Sequence, residues 1–310
     1  MANDDTDGAQ AGRRASRAPF SGGGSRRARG TRKTHRDCVH DRKESPIDTV
    51  TSSDGTPIAF DRLGDGPPVI VVGGQLCDRA MTRPTAEELA KHFTVFNYDR
   101  RGRGDSGDTA PYAVEREIED LGALIAEATG TASVYAHSSG AGLALHAAAH
   151  ALPIAKLVLH EPPYNPDGEE EERRISREYA ENLEAILAED RLGDAVELCM
   201  TTIGMPQEAV EGMRHTPRWA ELEAMAPTLA YDSEIMGDSS TGGTVPTDLA
   251  GCVMSESLVL VGGASPAWMI DVGRQVADAL PNGRYRVLDG QEHVVAPEVL
   301  VPVLAEFFAG

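Results

Sequence analysis

The chain has 310 residues, with 49 acidic against 29 basic side chains, a formal charge of −20 and four cysteines. That length admits one large α/β domain or two smaller ones, and a composition of 41% apolar and 25% charged residues excludes global disorder. No apolar run reaches the roughly 18 residues that span a bilayer, and a strongly acidic body would be repelled by nucleic-acid phosphates.

Residues 1–48 hold 11 Lys/Arg and 7 Asp/Glu, a net of +4, which leaves −24 on the remainder. This first segment is rich in Gly, Ser, Arg and Asp and nearly free of large apolar residues. It is predicted to be a disordered basic tail, dispensable to the fold, because it cannot bury enough surface to offset its ordering entropy. Its charge leaves contact with nucleic acid or an acidic partner open. Arg13 and Arg14 are followed by no apolar h-region, so no export signal is predicted. His35, Cys38 and His40 lie close together but lack a nearby fourth ligand, and no metal site is assigned. Cys38, Cys77, Cys199 and Cys252 form no CxxC pair, which points to a reducing, cytoplasmic setting.

From residue 49 the pattern becomes that of a folded α/β unit. TVTSSDGTPIAFDRLG (49–64) reads as two strands around a Ser-Asp-Gly turn. PPVIVVGG (67–74) is a short continuous apolar run, as expected of a strand buried on both faces. PTAEELAKHF (84–93) reads as a helix with Pro near its start, FTVFNYD (93–99) as a strand and RRGRGDSGD (100–108) as a polar Gly-rich loop. Residues 112–129 place Val114, Ile118, Leu121 and Ile125 on one helical stripe, with Glu and Asp on the other side. TASVYA (131–136) is a strand, 138–152 an Ala-rich helix and AKLVLHE (155–161) a further strand. Strands alternating with helices predict a mostly parallel sheet covered on both faces. The alternation stops between about 165 and 250, where the chain reads as helical and charged. It resumes with SLVLVGG (257–263), a helix over 267–280, RYRVLDG (284–290) and a last helix near 301–308, with Pro302 in its first turn.

The most informative stretch is VYAHSSGAG (134–142). A strand ends and a helix begins within one residue of Ser138, which is flanked at two residues' distance by Ala136 and Gly140. A nucleophile elbow has this small-x-Ser-x-small form, because a strained turn lets strand and helix approach only if those neighbours are small. The helix N-terminus beside Ser138 offers free N–H groups to developing negative charge. RRGRGDSG lacks the helix-opening context of a dinucleotide loop and no Walker motif is present, so no cofactor is implied.

From about 49 to 310 the chain resembles the α/β-hydrolase superfamily, in particular capped serine hydrolases of actinomycete type. The resemblance rests on VVGGQ, YDRRGRGDSG, AHSSGAG at the elbow and GQEH after the last strand. It implies the α/β-hydrolase fold, with core segments 49–164 and 251–310 and a helical cap over 165–250. It implies Ser138 as nucleophile and His293, in the loop after the last strand, as its base. It also implies an oxyanion hole built from the N–H groups of Ser139 and Gln75, although the family's common His-Gly is Gly73-Gly74 here. Most relatives carry an Asp shortly after the seventh strand; VGGASPAW (261–268) puts Ser265 there, and a serine cannot supply the charge that orients an imidazolium. Glu161, at the end of the sixth strand as in some members, is the first candidate for the acid. Asp232, in the insertion, is an alternative, and a dyad without an acid stays open. His137 adjoins Ser138 in sequence, but consecutive side chains diverge at an elbow, and His146 and His150 read as packing residues.

Met200, Met205, Met213, Trp219, Met225 and Met236 would give the cap an adaptable apolar lining, with Trp268 and Met269 on the pocket wall. The function implied is hydrolysis of an ester, thioester or lactone of a small-molecule acyl substrate, through a Ser-His-acid triad and an acyl-enzyme. A biosynthetic acyltransferase, cyclase or lyase, and a ligand-binding pseudo-enzyme, are the alternatives. Neither a membrane nor nucleic acid is expected as partner of the folded body, and the oligomeric state is left open.

Overall fold

The structure is a computed structural model that describes residues 47–166 and 170–310. The predicted tail, with His35, Cys38 and His40, lies outside the described residues apart from its last two positions. Strands β1 (Asp48–Thr51) and β2 (Pro57–Leu63) form the expected hairpin, with Gly55 at φ 89° in the turn between them. Then follow β3 (Pro68–Val72), α1 (Arg79–Leu89), β4 (Thr94–Tyr98), α2 (Val114–Glu127), β5 (Ala132–His137), α3 (Ser139–Ala149) and β6 (Ile154–His160). The eight strands run in the order β1-β2-β4-β3-β5-β6-β7-β8, where β7 is Glu256–Gly262 and β8 is Gly283–Leu288. Pairs β1/β2 and β2/β4 are antiparallel and all the others parallel. This is the α/β-hydrolase fold, a mostly parallel eight-stranded sheet flanked by helices.

The central strands are buried on both faces, which is why they read as unbroken apolar runs. On one face, Ile70, Phe96 and Val134 pack with Leu121 and Leu124 of α2, Leu143 of α3 and Val272 and Val276 of α11 (Ala267–Ala279). On the other, Val69, Val95 and Leu260 pack with Leu89 of α1 and with Leu300, Leu304 and Phe307 of α12 (Pro297–Ala309). Each such fully buried aliphatic side chain contributes about 1.5–3 kcal/mol relative to exposure.

Between β6 and β7 the described residues are helical: α4 (Glu170–Ala188), α5 (Leu192–Thr202), α6 (Gln207–Arg214), α7 (Pro217–Met225), α8 (Leu229–Met236), α9 (Asp238–Thr241) and α10 (Thr247–Ala250). This insertion has its own apolar cluster, which Leu76, just past β3, joins. Met200, Trp219 and Met225 are buried in that cluster, with Met205 and Met213 packed at its margin, while Met236 belongs to the sheet core.

Two helix starts differ from the pattern reading, because each helix opens upstream of the proline that marks its start in the pattern. Helix α1 begins at Arg79, where Asp78 accepts a hydrogen bond from Met81 N as its N-cap, so Pro84 is interior. Helix α12 begins at Pro297, which takes the first-turn position, and Pro302 therefore lies inside the helix and forgoes one backbone bond. The acidic side of α2 differs as well. Glu117 and Asp120 are buried against arginines rather than turned to solvent.

Candidate active site

Ser138 sits between β5 and α3 with φ 56° and ψ −130°, a conformation that costs a non-glycine residue about 1–3 kcal/mol. Ser138 N donates to His160 O at 2.9 Å, and Ser138 O accepts from Ala141 N at 2.8 Å, which tie the turn to β6 and to the first turn of α3. Two glycines around the turn are sterically required. A methyl group on Gly140 would stand 2.6 Å from Gly73 O and 2.8 Å from Val72 O. One on Gly74 would lie 2.8 Å from Ser138 Cβ and 3.4 Å from its Oγ, so the turn after β3 stands directly against the serine.

Glu161 follows β6 with φ 48°, fully buried, its N–H bonded to Leu260 O at 2.9 Å. Its Oε2 is 2.5 Å from His293 Nδ1, and its Oε1 accepts from Gly262 N and Ser265 Oγ, each at 2.6 Å. Burial opposes ionisation of this carboxyl, but the bonds from His293, Ser265 and Gly262 outweigh it and hold Glu161 below the usual carboxylate range. A carboxylate facing Nδ1 makes that nitrogen the protonated one and leaves Nε2 of His293 with a free lone pair. The loop that carries His293 is brought close by Gly262, where a methyl group would meet Gln291 O at 2.4 Å.

His137 is a neighbour that the sequence reading set aside. Its Nε2 donates to His293 O at 2.9 Å and the two rings are 4.5 Å apart. On its other side the His160 ring lies at 4.9 Å, with His160 Nδ1 paired to the Tyr135 hydroxyl at 2.9 Å. Burial, reinforced by the charge of His293, pushes His137 down to about 4, and burial takes His160 well below the usual imidazole range. Two neutral histidines thus back the loop of a third.

The alternative acid, Asp232 on α8, is held elsewhere. Its Oδ1 accepts from Arg100 Nη1 at 2.7 Å and Ser139 Oγ at 2.8 Å, and its Oδ2 accepts from Arg103 Nη2 at 2.7 Å. Arg100 also makes a bidentate pair with Glu117, and Arg103 Nη1 donates to Gly74 O at 2.5 Å. All of these side chains are buried. Burial opposes the charge of Asp232, but the two guanidinium groups more than compensate and keep its carboxyl low.

Of the two oxyanion-hole candidates, Ser139 is the first residue of α3, directly after Ser138, and Gln75 lies in the turn after β3, next to the Gly74 that stands against Ser138. Met269 is buried at the start of α11, and Trp268 beside it is 43% exposed. Cys77, Cys199 and Cys252 are free thiols, and the described residues contain no cluster of three His, Cys, Asp or Glu side chains suited to a metal. No helix among them is long and apolar enough to cross a membrane. The residues that sequence reasoning missed are Ser265 and Gly262 as donors to Glu161, His137 behind His293, and Arg100 and Arg103. For Ser265 the signal was its place at the relatives' acid position; for the arginines, three in four residues beside a glycine loop were the only trace.

A serine on a strained strand-to-helix turn at the carboxyl edge of such a sheet is the architecture of α/β hydrolases. Residues 52–303 match the alpha/beta hydrolase family, and the chain belongs to it. The fold is shared with an alpha/beta hydrolase from Sphaerobacter thermophilus DSM 20745, at 53% identity and TM-score 0.75 over 84% of this chain and all of that one. A thermophilic esterase from Thermogutta terrifontis has the same fold at 24% identity and TM-score 0.62, over 86% of this chain and 98% of its own. Among curated proteins, the pimeloyl-[acyl-carrier protein] methyl ester esterase of Xanthomonas campestris pv. campestris is 32% identical over 150 residues, 44% of this chain and 58% of that protein. An uncharacterized hydrolase of Bacillus subtilis (strain 168) is 33% identical over 113 residues, 35% of this chain and 42% of that one. The matches thus span about half the length of these curated relatives.

Proposed function

We propose that this protein is a serine hydrolase that cleaves an ester, thioester or lactone of a small or medium apolar acyl compound. The observation that carries the reading is the 2.5 Å contact between Glu161 Oε2 and His293 Nδ1 at the carboxyl edge of the sheet, beside the elbow of Ser138. Ser138 Oγ attacks the acyl carbonyl while His293 Nε2 takes its proton, and Glu161 stabilises the resulting imidazolium. The backbone N–H groups of Ser139 and Gln75 receive the oxyanion, each donor contributing about 3 kcal/mol. The imidazolium then protonates the leaving alcohol or thiol, and water, deprotonated by the same histidine, hydrolyses the acyl-enzyme. The insertion α4–α10 acts as the cap that shapes the acyl pocket, with Met269 and Trp268 on its wall. The esterase names among its relatives support ester-type bonds.

The test is labelling by a fluorophosphonate probe together with turnover of p-nitrophenyl acyl esters. Both are expected for the native chain and lost in Ser138→Ala. Turnover retained by that variant would overturn the nucleophile.

A further inference from the structure

Both oxyanion donors in the reading above are backbone groups, and a backbone donor stabilises charge only if its peptide plane is held in place. The peptide joining Gly74 to Gln75 is planar, so its C=O and the N–H of Gln75 point in opposite directions. Its oxygen accepts from Arg103 Nη1 at 2.5 Å. A buried guanidinium fixed to that oxygen therefore orients the N–H on the far side of the same plane. It also polarises the amide and makes the N–H a stronger donor. The second donor belongs to Ser139, whose Oγ is bonded to Asp232 Oδ1 at 2.8 Å. Arg103 Nη2 binds the other oxygen of the same carboxylate at 2.7 Å. One buried chain of contacts thus runs from Gly74 O through Arg103 and Asp232 to the side chain of Ser139.

The surroundings make this chain rigid. Arg103 Nε donates to Thr228 Oγ1 at 3.1 Å, and Arg100 ties Asp232 to Glu117. Two arginines face two carboxylates, so the buried charges balance, and the side chains of Arg100, Arg103, Glu117 and Asp232 are each at most 2% exposed. The turn so held is the one where a methyl group on Gly74 would lie 3.4 Å from Ser138 Oγ. Asp232 lies on α8 of the insertion, so the insertion supplies the anion on which the turn after β3 and the start of α3 are both set.

We propose that Arg103 and Asp232 are positioning residues that aim the Gln75 and Ser139 backbone donors at the oxyanion, an arrangement through which the helical insertion sets catalytic competence. The proposal rests on Ser138 being the acyl nucleophile.

The experiment compares the full chain with Arg103→Lys, Asp232→Asn and Ser139→Ala, and with Arg101→Lys as a control. Arg101 is equally buried in the same loop, but its partners are Asp120, Asp54 and Arg116 O. Active sites are counted by fluorophosphonate burst. Then kcat and KM are measured on p-nitrophenyl butyrate, along with Ki for an alkyl trifluoromethyl ketone and for the matching methyl ketone. The fluorinated ketone accepts the Ser138 oxygen and becomes a hemiketal oxyanion, whereas the methyl ketone stays a carbonyl.

Arg103→Lys and Asp232→Asn are expected to lower kcat by ~10- to 100-fold with KM within about threefold, since donors are misaimed rather than removed. The trifluoromethyl ketone's Ki should rise by the same factor and the methyl ketone's should stay put. Ser139→Ala should show the same pattern at about 3- to 10-fold. Arg101→Lys should lower the melting temperature without changing the ratio of the two Ki values. A Ki ratio that matches the native one in the Arg103 and Ser139 variants overturns the proposal. If the charge variants fail to fold, Ser139→Ala, which deletes one hydroxyl, decides alone. A native chain that neither labels nor binds the fluorinated ketone overturns the nucleophile reading and the proposal with it. A native chain that labels, with unmoved variants, overturns the proposal only.

Discussion

Glu161→Gln tests the assignment of the acid with almost no change in shape, and the structure dictates how the amide must sit. The Gly262 N–H beside Oε1 is a fixed backbone donor at 2.6 Å, so the amide oxygen of the glutamine has to face it. The NH₂ group is then directed at His293 Nδ1, where Oε2 stood 2.5 Å away. Two donors cannot face each other, so the imidazole must move its proton to Nε2 and present a lone pair at Nδ1. In that tautomer Nε2 cannot accept the Ser138 proton. Both the base and the charge that stabilises the imidazolium are lost, and kcat should fall by ~10³- to 10⁴-fold, equivalent to about 4–5.5 kcal/mol of transition-state stabilisation. The assay is p-nitrophenyl butyrate turnover normalised to folded protein, with thermal melting followed by circular dichroism. The fold should persist, because the bonds to Gly262 and Ser265 survive. A kcat within about tenfold of the native value would refute the role of Glu161.

Ser265→Ala removes a hydrogen bond to a buried carboxylate, a contact class of about 1.5–3 kcal/mol. It should lower kcat several-fold and move the acid-side loss of stability to higher pH, because Glu161 loses one of the bonds that favour its ionised form; an unmoved stability profile would count against it. The sign follows from the depressed carboxyl. Its stabilising contribution is full above the ordinary carboxylate range and lost as pH falls through the lower folded value. His137 runs the same way for a different reason: the unfolded chain takes up a proton below 6.5, whereas the folded histidine stays neutral down to about 4. Stability should therefore drop by up to about 3 kcal/mol between those pH values. Urea unfolding at pH 7 and pH 5 should show a shallower loss in His137→Phe, and equal slopes in the two proteins would refute the assignment.

The parts of the molecule that were legible in sequence are those written in local pattern. β3 and β7 read as apolar runs, and Ser138 two residues before Gly140 announces its turn because a side chain at Gly140 would not fit against Gly73 O and Val72 O. Glu161 and His293 were legible through their places after β6 and β8, though not the contact between them, which joins residues 132 positions apart. What stayed hidden was charge that leaves water. Arg100, Arg101 and Arg103 look like a solvated loop until Glu117, Asp120 and Asp232 are brought to them, and the Asp232 pairs span 132 and 129 positions. Periodicity assigns Glu117 and Asp120 to the outer side of α2 by default, since it carries no information about a partner from another element.

The two candidate acids differ in what their environment lets them do, and this yields distinct kinetic signatures. For Asp232 to serve His293 it would have to leave two guanidinium groups, both buried beside it, without their counter-charge. Breaking a buried pair in that way costs about 3–5 kcal/mol, while Glu161 already stands at Nδ1. Both Glu161→Gln and Asp232→Asn should therefore lose activity, but by separate routes. Glu161→Gln removes the base, so its residual rate should climb steadily with pH as hydroxide takes over proton abstraction. Asp232→Asn leaves the base and its carboxylate in place, so its pH–rate profile should keep the native shape at a lower height. Binding of the trifluoromethyl ketone should weaken in both, but in Asp232→Asn it should do so equally at every pH. An Asp232→Asn profile that loses its acid limb would instead place Asp232 in the proton path and remove Glu161 from it.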